Sequence, residues 1–291
     1  MQKDMPWTPA QLLASAAFRP LHPAIQPLPA TRFPTLQDCN ALLAQGDETI
    51  CVHDGTPLRL VAQAEGKLPF EAQYEPRCYL RGEVQTRSDN WHDLLNALVW
   101  YAFPRTKAAI NVRHYQALTA ARAPGSSQRG AVRDMATLFD ESGVVVPYAD
   151  ERLAESLCDF RWRELFWQRR ADIAQGMDFL VFGHGLYEKL LAPYVGLTGQ
   201  GLLLKVEAGY FALPWAQRQR LLDERLAAYI ADPTHCLSTR ELTPVPLLGI
   251  PGWWPANEEA TFYDDTRYFR PGRQARAART PLSTAPSSVA G

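Results

Sequence analysis

Residues 90–114 read NWHDLLNALVWYAFPRTKAAINVRH, and here polar functional groups and large apolar side chains stand closer together than anywhere else in the chain. Asn90 suits a helix N-cap, because its side-chain oxygen can accept an orphaned N–H of the first turn. After it, Trp91, Leu94, Leu95, Leu98, Val99 and Ala102 recur with helical period, which predicts a helix with one stripe facing a core. His92, Asn96 and Trp100 fall four apart on a neighbouring face, and Asp93 sits in the first turn, where the helix dipole favours an anion. Pro104 stops that helix, and the residues after it form a second. Arg105, Lys107, Asn111 and His114 thereby return two cations, an amide and an imidazole toward the first helix, and His92, Asn96, Asn111 and His114 are expected to share an edge.

Working outward toward the N-terminus, residues 58–62 and 78–84, with residues 49–53, cluster apolar side chains between turn signals such as Asp54-Gly55, which predicts a small antiparallel sheet. Residues 36–45 read as a helix. The proline-rich stretch 20–34 reads as an extended arm over the body, preceded by a leader with one short helix within residues 1–19. Toward the C-terminus, residues 123–130 read as a loop and 132–139 as a helix. Asp140-Glu141-Ser142-Gly143 then reads as a turn into a strand at 144–146. Residues 151–170, 177–191 and 214–230 are expected to be helices, and 202–206 a strand. Residues 242–273, rich in proline, glycine and aromatics, are too apolar for a linker and are expected to wrap the body. Residues 274–291 lack periodicity and read as a disordered tail.

At 291 residues the chain can bury a substantial core, and its 46% hydrophobic content with eight tryptophans excludes a disordered protein. A net charge of −1 gives no bulk electrostatic signal for nucleic acid. Cys39, Cys51, Cys78, Cys158 and Cys236 are widely spaced and form no redox or zinc motif. No apolar run reaches the length of a membrane helix and no secretory leader is apparent, so a cytoplasmic location without membrane insertion is expected.

For chemistry, a group titrating near neutrality is the first requirement, and His92 beside Asp93 is the first candidate, with Asp140 as a second carboxylate. Adjacent helix residues point about 100° apart, so Asp93 does not automatically orient His92. Arg105, Lys107 and Arg133, with Asn96, Asn111 and His114, are candidate substrate-binding groups lining an anion pocket. His92, His114 and one of Asp140 or Glu141 supply metal-ligand types without a recognised spacing, so metal and cofactor stay open. His184 and Glu188 lie four apart in FGHGLYEKLL. His184 reads as a buried core group, whose glycine neighbours favour close approach of another backbone or a ligand. Asp264 and Asp265, near Arg267, read as salt-bridged acids.

Four runs carry a family resemblance: NWHDLLNALVW with P-R-x-K-x3-N after it, RDMATLFDESG at 133–143, FGHGLYEKLL-x-P-Y at 182–194, and LTPVPLLGIPGWW-x3-N-E at 242–258. Together they resemble the proteobacterial domain-of-unknown-function family number three thousand and twenty-five, over roughly residues 20–273. The resemblance implies a bacterial origin and a shared domain, and it transfers no catalytic residue. His92-x2-Leu95, Phe103-Pro104 and Asn111-x2-His114 are also similar to part of the HNH nuclease pattern, but a second asparagine and metal-binding histidine are missing.

The sequence thus predicts an α+β, predominantly helical single domain over residues 20–273, with a small antiparallel sheet and a long C-terminal wrap. The function it favours is a hydrolase-like enzyme with His92 as acid/base. A binding or regulatory protein using Trp253 and Trp254, and an HNH-like nuclease, are the alternatives, and partners are left open.

Overall fold

In the computed structural model, which describes residues 5–45, 49–122 and 129–272, the apolar stripe of residues 91–102 lies inside the core. Asn90 caps this helix by accepting the Asp93 amide at 3.0 Å. Pro104 occupies the first turn of the next helix, where its missing N–H costs nothing. In chain order the helices are α1 (Pro9–Ala14), α2 (His22–Ile25), α3 (Leu36–Ala44), α4 (Tyr74–Arg81), α5 (Trp91–Ala102), α6 (Pro104–Ala121), α7 (Arg129–Ser142), α8 (Glu151–Cys158), α9 (Arg170–Gly176), α10 (His184–Leu190) and α11 (Trp215–Ala231). The strands are β1 (Arg59–Ala62), β2 (Glu83–Thr86), β3 (Gly143–Tyr148), β4 (Leu180–Val181), β5 (Thr198–Lys205) and β6 (Thr243–Pro246). With 56% helix and 12% strand, the chain is α+β and predominantly helical.

The sheets are small but not purely antiparallel. β1 and β2 form a parallel pair, and the second sheet has the order β4-β3-β5-β6, with β3 and β5 parallel and both edge strands antiparallel. Every residue of β3 is buried, as its uninterrupted apolar run demands of a strand covered on both faces. Helix α6 packs between α11 and α7, while α10 lies against α5 and α7. Asp223 of α11 accepts the Arg105 and Thr106 amides at 3.0 and 2.9 Å, and so fixes the start of α6 at the Pro104 corner.

Several boundaries differ from the sequence reading, each for a local reason. Residues 74–81 are helix and only 83–86 are strand. Gly82 separates them at φ +64, and a Cβ there would stand 2.4 Å from the Pro57 carbonyl oxygen. The long helix expected at 151–170 breaks after Cys158, where Phe160 takes φ +62, and resumes through a π-helical turn at Glu164–Gln168. Residues 177–191 split into β4 and α10, because Leu180 and Val181 pair with β3. Residues 140–142 finish α7 instead of turning, so the helix runs straight into β3. The proline-rich arm is helical at its start, with Leu21, Ala24 and Ile25 buried.

Trp7 and Leu12 pack into the same core, and the Trp91 indole donates to the Met5 carbonyl at 2.9 Å. At the other end, residues 242–272 do wrap the body. β6 extends the sheet, while the fully buried Asn257 donates to the carbonyls of Leu248 and Ile250 at 2.9 and 2.7 Å. Trp253 and Trp254 are half-buried against the core. Residues 123–128 and the expected tail at 274–291 lie outside the described residues. Among the described residues no helix is long and apolar enough to cross a membrane.

The β1–β2 pair is clamped by Glu83, a buried carboxylate that accepts from Arg77 at 2.5 Å and pairs with Arg59. The Arg77 hydrogen bond holds its carboxyl below the ordinary glutamate range. Glu83→Gln should therefore lower stability by about 1–2 kcal/mol at neutral pH. A depressed carboxyl stabilises above its unfolded pKa and loses that contribution as acid protonates the folded form, so the gap between wild type and variant should close as pH falls below the usual glutamate range. Urea denaturation at stepped pH checks this.

Candidate active site

The predicted polar edge faces a cavity of about 360 Å³. Helix α4 contributes Tyr74 and Glu75, α5 contributes His92, Asp93 and Asn96, and α6 contributes His114. Thr137, Asp140 and Glu141 come from the last turns of α7, and His184 from the first turn of α10. Gln63, Gln85 and Arg87 close the side next to the β1–β2 pair.

What joins α10 to α7 is the absence of side chain on either side of His184. A Cβ at Gly183 would lie 2.5 Å from the backbone nitrogens of Ser142 and Gly143, and one at Gly185 would lie 2.4 Å from Glu141 Oε2. The two glycines let the start of α10 rest directly on the end of α7. His184, 6% exposed, is thereby pressed against Asp140 and Glu141.

The two imidazoles meet head-on. Nε2 of His92 and Nε2 of His184 are 3.1 Å apart, and Glu141 Oε1 lies 3.8 Å from the first and 3.5 Å from the second. Behind them, His92 Nδ1 donates to Glu188 Oε2 at 3.0 Å, which an ionised carboxylate requires of its partner. His184 Nδ1 faces Asp140 Oδ2 at 3.6 Å. With the His92 proton on Nδ1, its Nε2 lone pair points at His184 Nε2, and a cation between the two rings would satisfy both nitrogens. Ligands around a tetrahedral dication stand roughly 3.3 Å apart, given metal–ligand lengths of about 2.0–2.1 Å. His92, His184 and Glu141 are therefore spaced to hold a metal ion.

Lys107 supports this centre from below. Its buried ammonium bonds Asp140 Oδ1 at 2.6 Å and Asn96 Oδ1 at 2.9 Å, and Asn96 in turn donates to the Tyr74 hydroxyl at 2.6 Å. Burial alone would raise the Asp140 carboxyl, but the charge and hydrogen bond of Lys107 outweigh it and hold it below the ordinary range. Burial likewise opposes ionisation of Glu141, and the His184 ring beside it outweighs burial and lowers its carboxyl. Burial raises the Tyr74 hydroxyl, which keeps its proton available to donate.

Of the residues singled out in sequence, His92, Asp93, Asn96, Asp140 and His114 line the cavity, and Lys107 lies beneath it. Asn111 reaches it indirectly, donating to Glu75 Oε2 at 2.6 Å. Asp93 is held by Arg87 at 2.7 Å, so Glu188 orients His92 in its place. Arg105 turns the other way to Glu224 at 2.6 Å, and Arg133 is exposed. The expected anion pocket is thus not assembled: Arg105 and Arg133 stand elsewhere, and Lys107 is neutralised in place. Glu75 and the role of Glu188 had no signal in the sequence, whereas the glycines around His184 were a signal for the close approach found there.

Gly183→Ala should cost roughly 1–3 kcal/mol, because the atoms it meets are backbone and cannot yield. Gly185→Ala should cost less, since the Glu141 carboxylate can swing aside. Thermal denaturation of the two variants checks the order. No curated protein and no solved structure shows a detectable match to the chain. Residues 58–273 match the family described as Protein of unknown function (DUF3025), which spans every side chain of the cavity, and the chain belongs to that family.

Proposed function

We propose that this protein is a metal-dependent hydrolase acting on a polar, uncharged or cationic substrate in the cavity between α4, α5, α6 and α7. One observation carries the reading: two imidazole Nε2 atoms and a carboxylate oxygen converge within 3.8 Å of one another, while His92 turns its other nitrogen to a carboxylate. Carboxylate support behind a ligating histidine fixes its tautomer and raises its basicity. Three protein ligands leave a position open, and an ion held so would polarise a substrate carbonyl and acidify water.

The chain's own groups supply the rest. Glu188 holds the His92 ring, the backbone contact at Gly183 and Gly185 places His184, and Lys107 keeps Asp140 ionised. Tyr74, Gln63, Gln85 and Thr137 offer neutral hydrogen bonds along the walls. Glu75, a carboxylate outside the metal trio without a lysine or arginine partner among the described residues, makes the cavity a poor match for a phosphodiester, which counts against a nuclease. The half-buried Trp253 and Trp254 lend little to a docking surface.

Protein purified without chelator should carry close to one equivalent of a first-row dication, zinc or iron by elemental analysis. His92→Ala, His184→Ala and the near-isosteric Glu141→Gln should each cut that content several-fold with circular dichroism unchanged. The zinc-loaded chain should hydrolyse neutral ester or amide probes, with activity abolished by chelation and restored by metal. Metal content below about a tenth of an equivalent after incubation with zinc would mean that the two imidazoles share a proton, and the proposal would fall. Full metal loading without hydrolysis of any probe would leave a metal protein and remove the hydrolase.

A further inference from the structure

We infer that the Glu75–His114 end of the cavity is a recognition subsite for a positively charged nitrogen on the substrate, a primary ammonium or a guanidinium. The inference rests on the metal-centred reading above and names the substrate class for it. Four carboxylates line the cavity: Glu75, Asp93, Asp140 and Glu141. Asp93 is neutralised by Arg87 at 2.7 Å and Asp140 by Lys107 at 2.6 Å. Glu141 belongs to the metal trio. Glu75 remains, with no lysine or arginine at ion-pair distance among the described residues.

Glu75 is not an idle surface acid. Its carboxylate accepts from Asn111 Nδ2 at 2.6 Å, and the same amide nitrogen also donates to the Glu75 main-chain carbonyl at 3.1 Å, so its position is set by a buried residue. One turn further along α6, His114 is 5% exposed and lines the cavity, and its side chain makes no hydrogen bond to any described residue. Its ring nitrogens open to the cavity, so a ligand there can reach them. An ammonium group answers both at once, giving its charge to Glu75 and an N–H to the His114 lone pair. The Tyr74 hydroxyl, beside Glu75 in sequence and already accepting from Asn96, stands at the same wall. The cavity then offers a dication at His92 and His184 and a cation-seeking carboxylate at Glu75, and a substrate engages both.

The test uses the full zinc-loaded chain and a series of ω-amino hydroxamic acids three to six carbons long, each paired with its methyl-terminated isostere, with affinities from calorimetry. The hydroxamate engages the metal, and the far end reports on Glu75. At one chain length or more, the ammonium member should bind about tenfold tighter than its isostere, the size expected for a hydrogen bond to a charged group. Glu75→Gln, which keeps the Asn111 contact, should shrink that preference to under about threefold while leaving the methyl member's affinity unchanged. His114→Ala should weaken only the ammonium member. Equal binding of the paired ligands at every length, or a preference that survives Glu75→Gln, would overturn the subsite while leaving the metal centre standing. Absence of zinc-dependent binding by the methyl-terminated members would remove the metal centre itself, and the subsite with it.

Discussion

The start of α10 lies against the end of α7 with no side chain between them, and the candidate site depends on that contact. Gly183 and Gly185 allow it, and the sheet enforces it, because the Phe182 and Gly183 amides both donate to the Gly143 carbonyl at 2.9 Å. A Cβ at 183 would have to move roughly 1 Å to reach ordinary contact, enough to spoil the ligand spacing. His184, Asp140 and Glu141 therefore meet through backbone packing, and their own mutual attraction is a smaller matter.

A second constraint is electrostatic. Burying Lys107 and Asp140 together carries a desolvation cost that their hydrogen bond offsets in part, and Asn96 gives the ammonium a second acceptor. This network links α5, α6 and α7 at one point, so the stripe of residues 91–102 and the Pro104 corner determine where the cavity opens. Asp223 and Gln219 of α11 secure the far side of that corner, Gln219 donating to the Ala102 carbonyl at 3.1 Å.

The two helices around Pro104 were legible in the sequence because their period, cap and stop all agree. So were the polar edge they share and the wrap of the C-terminal segment. The strand at 144–146 was legible too, whereas the short apolar run 177–183 lacks a period that distinguishes a buried strand from a helix. Reading Met177 to Leu191 as one helix placed His184 mid-helix, whereas the structure puts it in a first turn, where its glycines permit contact with α7. The pairing of His92 with His184 spans ninety-two positions, and nothing in local spacing brings such distant residues together. Asp93 was the nearest carboxylate in sequence but pointed elsewhere on the helix surface, and Glu188, a long way along the chain, took the position behind the ring.

Helix α7 passes into β3 without an intervening loop, and this leaves the chain no slack at Glu141. One added residue between Glu141 and Val144 would turn the carboxylate by about 100° about the helix axis or shift β3 by one place, turning its buried face outward. Length, more than residue identity, is the quantity this segment must preserve, and insertions are better accommodated in surface segments such as 63–69.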